Sequence, residues 1–235
     1  MKKSFIFLLS LLIFTTGLLA KEAGTYYVFA PSGLNMRATD QSGAKVLAKV
    51  PYGSKIELLS PAKTTDLTVD GLTAGMGKVR YEGQVGYMFE GYLSRFPIPG
   101  KNAKLEDYVY KVRPLVNGIV YYEEHSKDYD GYFTQEEAIT VSGKDWHEAF
   151  LLGKNLFNMP AGLHFPDPNH KGKVENPDKP EYAWSDELTA TYSEKDGRLI
   201  EISYYYRAEG GGSSITISYN EEDQGMRIVH GGVAD

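Results

Sequence analysis

The chain has 235 residues, 42% of them hydrophobic, no cysteine and a formal charge of −6. Without a thiol there is no disulfide, no thiolate metal site and no cysteine nucleophile, so a chain of this length must be held by its cores. No basic stripe exists that could displace phosphate counterions, which argues against nucleic acid as a partner.

Residues 1–20 open with Lys2 and Lys3, continue through an apolar run from Phe5 to Phe14, and close on Gly17, Leu18, Leu19 and Ala20. This pattern predicts a secretory signal peptide, since the run is too short to span a bilayer. No later apolar stretch approaches membrane length, so no span is expected after cleavage. A secreted chain without disulfides fits a periplasm-like bacterial compartment, and a periplasmic or secreted protein is the expectation. Charge divides unevenly behind the signal. Residues 21–97 hold nine Lys/Arg and seven Asp/Glu, net +2, whereas residues 98–235 hold 14 and 24, net −10. Two units with different surfaces are expected: residues 21–96, and residues 105–235 after a Pro/Gly-rich linker at 97–104.

The first unit is rich in short alternating stretches and poor in helix signals. Leu34 and Met36 alternate with Asn35 and Arg37, and Ile56 and Leu58 with Lys55 and Glu57. Lys78 to Tyr81 alternates, Glu82-Gly83 turns, and Val85, Tyr87 and Phe89 continue on one face. Short strands at this spacing between Gly/Pro turns predict a small β-barrel. Gly53 and Gly83 are the expected turn glycines, and an extra hairpin about Asp70-Gly71 is open to the longer segment 60–76.

The motifs "GLNMRA", "KVLAKVPYGSKIELL" and "GKVRYEGQVGYMFEGYLS" stand in that order. Over about residues 25–95 they resemble the bacterial SH3-like (SH3b) domain. Leu34 and Met36 would then point into the barrel, Asn35 would bond nearby backbone, and Arg37 would lie outward. The chain departs from the family in lacking Trp in the late strands, where Gly77 and Tyr87 stand. The resemblance implies a targeting module of envelope or cell-wall proteins whose ligands are wall peptides or proteins. The aromatic residues available to such a ligand are Tyr52, Tyr81, Tyr87, Phe89 and Tyr92.

The second unit resembles no family. Val116 to Tyr122 is a strand candidate. A helix is predicted over 143–158, with Ser142 as cap and Trp146, Ala149, Phe150, Gly153 and Phe157 at helical spacing until Pro160. A long polar loop follows at 160–182. The period then switches to two, predicting strands at 187–193, 198–207, 213–220 and 226–230. The overall expectation is a mainly β fold with an α+β second domain: a small SH3-like β-barrel followed by an antiparallel β-meander packed on one helix.

Several stretches carry candidate chemistry. Residues 126–137 overlay a calcium loop at Asp128, Asp130, Gly131 and Glu137, but Ser126 replaces the first carboxylate and the exit is β-branched. Calcium is therefore the alternative to an exposed Asp-Gly turn, and no cofactor is the primary expectation. His164, Asp167 and His170 could suit zinc, yet two prolines hold that segment extended. His147-Glu148 lacks the second His of a zinc-peptidase helix, no serine nucleophile elbow occurs, and Gly210 to Gly212 reads as a turn. Tyr204 to Tyr206 are consecutive in one strand, so Tyr205 faces opposite to its neighbours and joins the candidate ligand-binding residues. The chain is expected to be a non-enzymatic binding protein of the bacterial envelope, its partner a cell-wall peptide or envelope protein. A wall glycoside hydrolase built on a carboxylate pair is one alternative. An inhibitor or immunity-type protein acting through its acidic domain is another.

Overall fold

The computed structural model describes residues 21–101, 103–129, 132–169 and 172–234; the proposed signal segment lies outside them. The chain is mostly β, with α+β character: three antiparallel sheets and two α-helices among the described residues.

Alternation builds the first sheet. Its strands are β1 (Gly24–Val28), β2 (Leu34–Arg37), β3 (Val46–Val50) and β4 (Lys55–Ser60). After a separate hairpin of β5 (Leu67–Val69) and β6 (Leu72–Ala74) come β7 (Met76–Tyr81), β8 (Gln84–Phe89) and β9 (Leu93–Ser94). The spatial order is β3-β2-β8-β7-β4-β1-β9. In β4, Ile56 and Leu58 are buried while Lys55 and Glu57 face water. Met36 is fully buried with Val28, Val50, Val79 and Met88. Leu34 is only half-buried, at the edge of that cluster. Arg37 lies outward as expected, its Nη1 donating to Ala44 O at 2.7 Å. Two hairpins turn through paired left-handed residues, Glu82-Gly83 at φ 48° and 80° and Asp70-Gly71 at φ 51° and 79°. Two-residue loops of that hand match the right-handed strand twist, and Asp-Gly and Glu-Gly put the glycine where φ is most positive.

The second sheet has seven strands: β10 (Ile119–Tyr129), β11 (Tyr132–Ser142), β12 (Lys173–Glu175), β13 (Ala183–Tyr192), β14 (Leu199–Ala208), β15 (Gly211–Asn220) and β16 (Gly225–Ala234). Their order is β10-β11-β16-β15-β14-β13-β12. The predicted four-strand meander is thus its central part. A long hairpin, β10–β11, is added to the edge of β16, and β12 closes the other edge. The strand expected at 116–122 starts three residues later and runs on to Tyr129.

Two helices differ from expectation. Helix α2 (Trp146–Leu156) is capped by Asp145, whose carboxylate accepts the Glu148 N–H at 3.0 Å, and not by Ser142. Gly143 at φ 90° is outside the helical region, so the helix cannot begin before it. Helix α1 (Leu105–Val112) was not expected at all. Its buried residues Leu105, Tyr108, Val109 and Val112 fall at i, i+3, i+4 and i+7, one face of a helix.

Helix α2 lies between the sheets. Gly153 lets it settle on the second sheet: a Cβ there would stand 3.2 Å from Ile228 and 3.4 Å from Ile217. On its other side one apolar cluster continues into Phe29, Leu72, Met76, Phe89 and Phe96 of the first unit. Phe96 belongs to this cluster and Ile98 packs against it, and Tyr108 donates its hydroxyl to Pro97 O at 2.8 Å.

Candidate ligand cleft at the C-terminal end of helix α2

The two units meet along α2, and the two ends of that helix meet the first sheet differently. At the N-terminal end the contact is ionic and closed. Glu148 is 2% exposed and accepts four hydrogen bonds: Ser94 Oγ at 3.1 Å, Arg95 N at 2.6 Å, and Arg95 Nε and Nη2 at 3.1 and 2.7 Å. Arg95 also donates to Ser142 O at 3.0 Å. Lys21 pairs with the capping Asp145 at 2.8 Å. Burial opposes charge on Asp145, but Lys21 and the helix N–H outweigh it and take its carboxyl down to about 2. A short helix end carries positive partial charge, so two acids there suit the helix as well as their cationic partners.

At the C-terminal end the contact opens into a cleft of about 500 Å³. Phe150 and Lys154, one turn apart on the same helix face, line it from α2. Asn158 and Met159 follow, with Asn158 at φ 52° where the helix has ended. His164 and Phe165 come from the following loop. Phe29, Pro31, Leu72 and Tyr92 come from the first unit, with Asp70 from the β5–β6 turn. Cavities of this size with apolar walls and a few convergent polar groups are the usual form of a ligand site.

Asp70 is the hub. Its Oδ2 accepts the Tyr92 hydroxyl, its main-chain O accepts the Phe165 N–H at 3.1 Å, and its Oδ1 stands 3.8 Å from His164 Nδ1. It also lines the two grooves that continue the cleft on either side. Gly71 leaves no room for a side chain, since a Cβ would lie 1.9 Å from Phe165 O. The 163–166 loop is therefore seated directly on the hairpin turn. Burial and the neighbouring Asp70 carboxylate push the Tyr92 hydroxyl up, so it stays a proton donor. Lys154 Nζ donates to Ala161 O at 3.0 Å and to Leu163 O. Burial lowers its pKa while Asp70 raises it in part. The Phe165 ring is held edge-on by His147 at 4.7 Å and Phe150 at 5.5 Å.

Of the six aromatic residues singled out from sequence, Tyr92 lines this cleft. Tyr52 is at its rim, its hydroxyl bonded to Asn155 Oδ1. Phe89 is buried and reaches the groove beside it. Tyr81 and Tyr87 are half-buried against the cores, and Tyr205 stands on the outer face of the second sheet beside Arg207. The six do not converge. Asp70, Lys154 and Asn158 were missed, and His164 was weighed only as a metal ligand.

The calcium overlay falls on the β10–β11 hairpin. Asp128 pairs by backbone with Phe133, Asp130 and Gly131 lie outside the described residues, and Glu137 pairs with His230 at 3.5 Å. Of the zinc candidates, His170 lies outside the described residues, and Asp167 Oδ1 accepts the main-chain and side-chain N–H groups of Asn169. Among the described residues no group of three or more His, Asp or Glu is placed to hold a metal.

No family model matches the chain, and no curated protein matches it. Two solved structures are similar at low scores. NlpC2 from Trichomonas vaginalis has a TM-score of 0.23 and 14% identity, over 88% of this chain and 67% of that one. The tesB protein of Mycobacterium avium subs paratuberculosis has a TM-score of 0.19 and 7% identity, over 92% and 79%. Scores of this size transfer neither fold nor chemistry.

Proposed function

We propose that the chain is a non-enzymatic binding protein of the bacterial envelope, periplasmic or secreted, whose first unit is an SH3b-type module. Its ligand, a cell-wall peptide or an envelope protein segment, is taken in the cleft at the C-terminal end of α2. The observation that carries this reading is the composition of the cleft: both units line it, and its apolar walls surround a few polar groups. The order of the three SH3b-like motifs supports the envelope setting, as does the signal-like start of the chain. A glycoside hydrolase needs two carboxyls in one cleft; Asp70 lines this one and Asp167 the groove that continues it past His164, so wall clearing is the readout that separates the two readings.

The test is retention on insoluble wall material, read with a zymogram of the same protein. The reading expects retention that Phe165→Ala and Tyr92→Ala weaken, and no clearing. Clearing of the wall layer contradicts it, as does a protein that stays wholly in the supernatant.

A further inference from the structure

Lys154 and Asp70 carry opposite charges into one space without closing on each other. Among the described residues, the Asp70 carboxylate has Tyr92 on Oδ2 and His164 beyond hydrogen-bond reach of Oδ1. Lys154 spends two of its three N–H donors on the carbonyls of Ala161 and Leu163. Asp70 therefore keeps acceptor sites open, Oδ1 among them, and Lys154 keeps one N–H donor. Each is also fixed in place: Asp70 by its two-residue turn and the Phe165 N–H, Lys154 by two loop carbonyls. The side chains of Leu72, Phe150 and Phe165 line the same cleft and offer no hydrogen bonds, and Lys154 Nζ stands 5.9 Å from the Phe150 ring centre.

A ligand with one charge would be attracted by one of these groups and repelled by the other. A ligand with both charges satisfies both, and the low-dielectric walls strengthen each contact. At about 500 Å³ the cleft lies within the range of sites that enclose small ligands.

We propose that the cleft selects short peptides with both ends free, the α-ammonium at Asp70, the α-carboxylate at Lys154, and an apolar side chain against the wall that Leu72, Phe150 and Phe165 form. This rests on the cleft being the ligand site, as argued above.

The probe is alanyl-leucine, titrated calorimetrically into the chain lacking residues 1–20, with N-acetylated and C-amidated forms as controls. The free dipeptide should bind, and capping either end should weaken binding by about tenfold or more, the loss of one charge-assisted contact. Asp70→Asn keeps a residue that tolerates the left-handed turn and can still accept from Tyr92. It should weaken the free dipeptide but leave the N-acetylated form unchanged. Lys154→Gln should weaken the free form and spare the amidated one. If Lys154→Gln loosens the loop, seen as a lowered Tm, the capped-ligand series on the unsubstituted chain still decides. Capped dipeptides that bind as tightly as the free one overturn the proposal, and so does no heat at millimolar dipeptide. If wall retention persists in that case, the charge assignment alone has failed; if retention is also absent, the cleft reading has failed with it.

Discussion

At the N-terminal end of α2, Asp145 and Glu148 close directly on Lys21, Ser94 and Arg95 in ion pairs and hydrogen bonds. At the C-terminal end of the same helix, Lys154 faces Asp70 across open space. One helix thus joins the two units with one end and leaves a receptive space at the other. Polar groups at a junction stabilise it when every valence is met inside, and are free to recognise something when one is left over.

The sharpest way to break the comparison is at Glu148. Glu148 is buried while Arg95 keeps about a third of its side chain in water, so the stranded cation stays partly solvated and Glu148→Ala should cost about 2–3 kcal/mol in urea unfolding. A loss no larger than that of a surface pair would show that the closed end contributes nothing. Next is Gly71→Ala, which puts a Cβ against Phe165 O at a left-handed φ. It should cost about 1–3 kcal/mol and lower wall retention, while the Lys21–Asp145 contact stays. Retention unchanged would separate the hairpin from the cleft.

Acid should act on the closed end. The folded-state carboxyl of Asp145 is depressed to about 2, below its unfolded value near 4. Its contribution is therefore present above pH ~4 and is lost as pH falls from ~4 through ~2. Asp145→Asn keeps the cap but should remove about 1–2 kcal/mol at neutral pH and flatten the acid limb of a stability–pH curve. An unchanged acid limb would contradict the pairing with Lys21. The smallest effect is expected at Arg80–Glu57, where both side chains are about half exposed. Arg80→Ala should cost less than about 1 kcal/mol and leave binding untouched.

Much of the sheet architecture was legible because its signals are local. The period-two stretches from residue 187 onward and the Asp70-Gly71 and Glu82-Gly83 turns need only neighbours to form. The start of α2 was misplaced because Ser142 looks like a cap while Gly143, at φ 90°, keeps the preceding residue out of the helix. Helix α1 was missed because its apolar face spans only eight residues behind a Pro/Gly-rich stretch. The cleft was not legible, since Asp70 and Lys154 are 84 positions apart in sequence and come to line one cleft only once α2 is placed. Aromatic content pointed to Tyr92 and to five residues that build walls or other surfaces.

Helix α2 fuses both sheets into one body through a shared core. Scanning calorimetry of the chain lacking residues 1–20 tests it directly. A single transition whose calorimetric and van't Hoff enthalpies agree is expected. Two resolved transitions in the unsubstituted protein would contradict it.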